Sequence, residues 1–183
     1  MNALLDVGQP GATAVHEASH AVVATVLGVP FDRITLHPTE ADQRGAVYGL
    51  RPGKAPAAAV AAVLLAGVTG ELAVWAPAPG ATLIAAAAEA AAIAVCSGHI
   101  DIESFARHAP DIAADPDRIS DLQDVVRGLI HGHRHAIGAV AAALVAHPQQ
   151  TLISAEVSEI VHRAGRISQP RPRPLPIGRH VVA

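Results

Sequence analysis

Cysteine, lysine and aromatic residues are all scarce in this 183-residue chain: Cys96 and Lys54 are single, and Phe, Trp and Tyr together make up 2%. A lone cysteine closes no internal disulfide. That excludes the stapled scaffolds of small secreted domains and leads us to expect a cytoplasmic protein in a reducing compartment. With a net charge of −3 and no basic run before the extreme C-terminus, no nucleic-acid or anionic-membrane footprint is expected. Long apolar runs are also missing. Ala55 to Gly70 is uncharged over 16 residues but mostly Ala, short of the roughly 20 strongly apolar residues a bilayer span needs. Leu72 to Ala88 is interrupted by Pro77 and Pro79. Met1 to Gly11 has no Lys or Arg and contains Asp6, so it lacks the charged start of a signal peptide. No Gly-x-x-x-x-Gly-Lys-Ser/Thr loop is present, and no nucleotide-driven motor is expected.

What is abundant is Ala, Val, Leu and Ile, a composition that favours helices. A motif helix is predicted from about Thr13 to Leu27, with Gly28 as its C-terminal cap and Pro30 beyond. Arg33 to His37 alternates like a half-buried strand, and Gly45 to Leu50 suits a second. Pro56 opens an apolar helix to about Trp75, and Ala81 to Val95 reads as another. A short helix should follow from Asp101 to His108. A long one should run from an N-cap at Ser120 to Ala146, and a last one should be capped by Ser154 and reach Ala164. The expected fold is mostly α with a small β-sheet: one domain over residues 1–167, then a Pro/Arg-rich disordered tail over residues 168–183.

The chemistry concentrates in His16-Glu17-Ala18-Ser19-His20. Residues at i and i+4 share a helix face, so both imidazoles reach one metal ion, while Glu17 is rotated about 100° away and reaches a metal-bound water instead. That is the arrangement of a zinc hydrolase. With 11 His in the chain, an H-E-x-x-H segment arises by chance only about 0.025 times. Pairs of His at i and i+4 are near background, so His131, His133 and His135 are read as a solvated or packed helix face. A catalytic zinc takes three protein ligands. The residues after His20 lack the Gly and His of the metzincin extension, so the third ligand must be distant.

Thr13 to Ala24 resembles the motif helix of the peptidase domain in FtsH-type ATP-dependent proteases, with Ser19 standing where that family prefers Gly. Phe31 to Pro38 is similar to the strand that follows. Gly45-Ala46-Val47-Tyr48 sits where the family places the edge strand that receives substrate. Leu65-Ala66-Gly67 with Glu71 looks like its Leu-x-Gly…Glu helix, and Leu122 to Val161 like its closing helices. The resemblance implies a zincin-like metallopeptidase domain, a motif helix plus a C-terminal helical bundle, in a stand-alone form without ATPase or membrane segments.

In that family the third zinc ligand is an Asp that follows a Gly at a helix start. This implies Asp101, after Gly98, with Asp121, Glu103 and Glu71 as alternatives. The expected site is thus Zn²⁺ on His16, His20 and Asp101, Glu17 as general base, and Val47 and Tyr48 along the substrate. The expected partner is a peptide or unfolded protein; a homo-oligomer or a separate partner protein stays open. Two other readings stand beside the peptidase: a catalytically silent zinc-binding interaction domain, and a hydrolase of non-peptide amides or esters.

Overall fold

A computed structural model describes residues 10–38, 45–51, 53, 55–74 and 99–165, with the side chains of residues 10, 74 and 99–102 left undescribed. The elements run α1 (Pro10–Leu27), β1 (Arg33–Thr35), β2 (Ala46–Tyr48), α2 (Ala57–Val74), α3 (His99–His108), α4 (Pro110–Ala113), α5 (Pro116–Gly132), α6 (Arg134–Ala146), β3 (Thr151–Ile153) and α7 (Ser154–Gly165). The protein is therefore mostly helical with a small sheet. The helix anticipated over residues 81–95 and the tail over residues 168–183 lie outside the described residues. Among the described residues, no helix is long and apolar enough to cross a membrane.

The motif helix is the centre of the fold. Ala14, Ala18, Ala21, Val22 and Ala24 are fully buried, and α1 packs chiefly against α2 and α6. It ends where Gly28 takes a φ of +68°, a left-handed conformation that costs a residue without Cβ little. Helix α2 is apolar on every side, as a helix enclosed by others must be. Its buried Ala59, Ala62 and Ala66 keep its surface smooth, so that α1 and α2 can approach closely. Helix α5 covers α2, and α3 packs on α2 as well.

Sheet order is β2-β1-β3, antiparallel throughout. Ile34 pairs with Val47 on one side and Leu152 on the other, and Ile34 and Leu152 are both buried. The third strand was not anticipated: Thr151 and Leu152 were expected among the closing helices. They are held extended by β1, through the bond from Leu36 N to Gln150 O at 2.9 Å and the contact between Thr35 Oγ1 and Thr151 Oγ1 at 2.7 Å.

Three helix boundaries also differ from expectation. The long helix begins at Pro116, not Ser120, because the Asp115 side chain accepts from the N–H groups of Asp117 and Arg118 and proline suits the first helical position. That helix is also two helices. The chain breaks at His133, with φ −111° and ψ 15°, just after Gly132, whose helix propensity is poor. Ser154 is the first residue of α7 and not its cap. Instead Glu156 Oε2 accepts from Ile153 N at 2.9 Å, the carboxylate half of a capping box.

Candidate metal centre

Helix α1 presents His16 and His20 on one face, as their spacing requires. Their exposures are only 6% and 4%, and Glu17 between them is 5% exposed. The ring centroids are 4.7 Å apart with planes at 76°, and the two Nε2 atoms approach to 3.0 Å. What stands behind each ring decides which nitrogen carries a proton. His20 Nδ1 lies 2.6 Å from Val63 O; a carbonyl only accepts, so Nδ1 donates and Nε2 presents its lone pair. His16 Nδ1 lies 3.4 Å from Glu71 Oε1, an ion-pair contact without hydrogen-bond geometry, and the charge of this buried carboxylate favours a proton on Nδ1. Two lone pairs facing each other at hydrogen-bond distance repel unless a cation sits between them, either a metal ion or a shared proton.

The donor set and the space suit zinc. Two Zn–N bonds of about 2.05 Å at a tetrahedral angle would separate the nitrogens by about 3.3 Å, a few tenths of an ångström more than the separation found. Helix α2 passes the pair at Gly67, where a Cβ would lie 2.5 Å from His16 Nε2 and closer still to His20 Nε2. Only glycine leaves that volume open. On the other side of Glu17, a Cβ on Gly45 would lie 2.6 Å from Glu17 Oε1 and 2.8 Å from its Cγ. The entry to β2 therefore rests directly on this carboxylate.

Among the described residues, no three His, Cys, Asp or Glu side chains converge on a common point. Asp101 falls in the first turns of α3, and its side chain lies outside the described residues. Of the alternatives, Glu103 and Asp121 are exposed, and Glu71 faces Nδ1 of His16 rather than the Nε2 pair. The place of Glu71 is only half legible in the sequence: the Leu-x-Gly…Glu spacing points to its helix, but not to which ring nitrogen it meets. Its Oε2 is buried with no hydrogen-bond partner among the described residues, which leaves it able to take a second donor.

Strand β2 is an edge strand among the described residues. Val47 is half-buried opposite Ile34. Tyr48 lies opposite Arg33, whose guanidinium sits 4.7 Å from the ring centroid. His131 and His135 are exposed and belong to different helices, α5 and α6. His133 is half-buried at the junction between them, and burial lowers its pKa from 6.5. The three do not form a second ligand set. No protein-family model matches the chain, and no curated protein matches it either.

Proposed function

We propose that the chain is a zinc metallopeptidase, zincin-like in fold and related to the peptidase domain of FtsH-type proteases, which hydrolyses peptide bonds in peptides or unfolded segments. The observation that carries the proposal is the pair of Nε2 atoms 3.0 Å apart, each ring having its Nδ1 turned to an acceptor and a buried carboxylate standing between them in the helix. His16 and His20 would hold Zn²⁺, with Asp101 as the third ligand. When bound, zinc supplies a polarised carbonyl and a water whose pKa falls toward about 7.

Glu17, between the two imidazoles, would serve as the proton acceptor for an attacking water and the donor to the departing amine. Val63 O holds His20 in the ligating tautomer, as outer partners of metal-bound His do, and the Glu71 carboxylate 3.4 Å from His16 Nδ1 favours the same tautomer there. The outer side of β2, an edge strand among the described residues, would offer backbone donors and acceptors near Val47 and Tyr48 to an extended peptide. Because Gly45 sits on Glu17, a peptide paired with β2 would run close to the proton acceptor.

A second reading is a zinc-binding interaction domain without turnover. The experiment is to measure bound zinc in the purified protein, then follow cleavage of casein with and without chelator and in Glu17→Gln. The peptidase reading expects bound zinc and chelator-sensitive cleavage. It also expects a loss of about 100-fold or more in Glu17→Gln with zinc retained, since acid–base groups contribute on that scale. Zinc retained with no cleavage by the unaltered chain leaves the interaction domain. A protein that takes up no zinc has only a proton between its rings, and both readings fail.

A further inference from the structure

We infer that Ser19 and Gly70 form a matched volume pair that sets how deeply α2 seats against α1, and that this depth is what holds Glu71 at His16. Both are positioning residues, and the inference rests on the metal reading above. Ser19 is fully buried and lies in the helix turn that carries both imidazoles. Its hydroxyl donates to Val15 O at 2.7 Å, so the buried polar group is satisfied and its position fixed. Directly opposite is Gly70. A Cβ there would overlap Ser19 Oγ and come within 2.7 Å of Ser19 Cβ.

Rotating the serine side chain would move Oγ but not Cβ, so rotation alone cannot make room. The relief left is for α2 to move away from α1 at residue 70. The next residue is Glu71, whose Oε1 makes an ion-pair contact with His16 Nδ1 at 3.4 Å, without hydrogen-bond geometry; an outward shift of α2 lengthens that contact and weakens the carboxylate's hold on an Nδ1 proton. Ser19 stands where the resembling family prefers Gly. The structure gives this departure a physical counterpart: the extra Cβ and Oγ on α1 are absorbed by the missing Cβ on α2.

The inference has a reciprocal test. Gly70→Ala alone should weaken zinc binding at least 10-fold, the scale on which outer partners of a metal site act. The exchange Ser19→Gly with Gly70→Ala should restore affinity to within about threefold of the unaltered chain, because it moves the glycine from one helix to the other. Ser19→Ala with Gly70→Ala keeps the offending Cβ and should restore little, which separates volume from the hydroxyl's hydrogen bond. Zinc affinity is read by competition with a chromophoric chelator, and the folding of each metal-free variant by circular dichroism and thermal unfolding.

The imidazole ¹⁵N shifts of metal-free protein report whether His16 keeps its Nδ1 proton. They should change in Gly70→Ala and revert in the exchange. The inference is overturned if Gly70→Ala binds zinc like the unaltered chain, or if the exchange variant is as impaired or as unfolded as the single one. If the unaltered chain takes up no zinc, the metal reading fails by itself, and the His16 shifts in the metal-free variants still decide whether the pair sets the place of Glu71.

Discussion

Replacing Gly67 by alanine should remove zinc binding while leaving the protein folded, and the size of each effect follows from the contact. The added Cβ would stand 2.5 Å from His16 Nε2 and 2.6 Å from His16 Cε1, against an ordinary contact near 3.5 Å, an overlap of about 1 Å. Swinging a ring about 30° off its rotamer costs roughly 0.5–1.5 kcal/mol. Lifting α2 instead costs roughly 1–3 kcal/mol, as overpacking in a core does. Part of either cost, up to about 1 kcal/mol, is returned because alanine is the better helix former.

The net change in stability is therefore at most about 3 kcal/mol, which at this chain length lowers the melting temperature by roughly 2–4 °C per kcal/mol. Metal binding has no such reserve. Ligand distances tolerate only about 0.2 Å, so displacement of either Nε2 should cost one bond and weaken zinc by about 100-fold or more, about 2.7 kcal/mol. The assay is chelator competition on Gly67→Ala beside Gly128→Ala, a helical glycine in α5 with nothing within 4 Å of an added Cβ. The control should bind zinc normally and gain about 0.5–1 kcal/mol of stability. A Gly67→Ala protein that is folded and holds zinc within threefold of the unaltered chain would refute the reasoning.

Asp101→Ala should weaken zinc at least 10-fold in the same competition assay if Asp101 is the third ligand, and unchanged affinity would remove it from the site. Ile34→Ala, at a fully buried position in the central strand, should cost about 2–5 kcal/mol by urea unfolding; a loss below 1 kcal/mol would mean the sheet is not part of the core. His133 gives a pH dependence whose sign can be worked out. Burial lowers its pKa from 6.5, so as pH falls through 6.5 the unfolded chain takes up this proton before the folded one does, and stability declines until the lower folded value is passed. His133→Asn should flatten that part of the urea-midpoint profile between about pH 7.5 and 5.5; an unchanged profile would show that the junction does not resist protonation.

How much of this was legible beforehand depended on how local each determinant is. The imidazole pair is a matter of spacing within one helix, so His16, Glu17 and His20 could be placed from sequence. The apolar α2 announced itself by Pro56 and an unbroken run of small residues. Two of the differing boundaries carry local signals: Asp115-Pro116 is an N-cap followed by a first-turn proline, and Gly132 marks the break at His133. Strand β3 had none. Three residues between two helices become a strand only because β1, with Thr35 and Thr151 separated by 116 positions, supplies the partner.

The same distinction governs the site. A helix places its own residues relative to one another, but which nitrogen of His16 is protonated depends on Glu71, and where Glu71 sits depends on how closely α2 can lie against Ser19. Those are contacts across two helices, decided by the absence of side chains at Gly67 and Gly70. In a sequence those glycines read as weak helix residues; in the fold they are the openings that let a carboxylate and a carbonyl reach the back of two imidazoles while the front stays clear. It follows that the alternation of Gly and larger residues along α2 should constrain metal affinity more tightly than its overall hydrophobicity. Exchanging Val68 for Ile, a half-buried change on the same helix, should leave zinc affinity within threefold, whereas one methyl at either glycine should not.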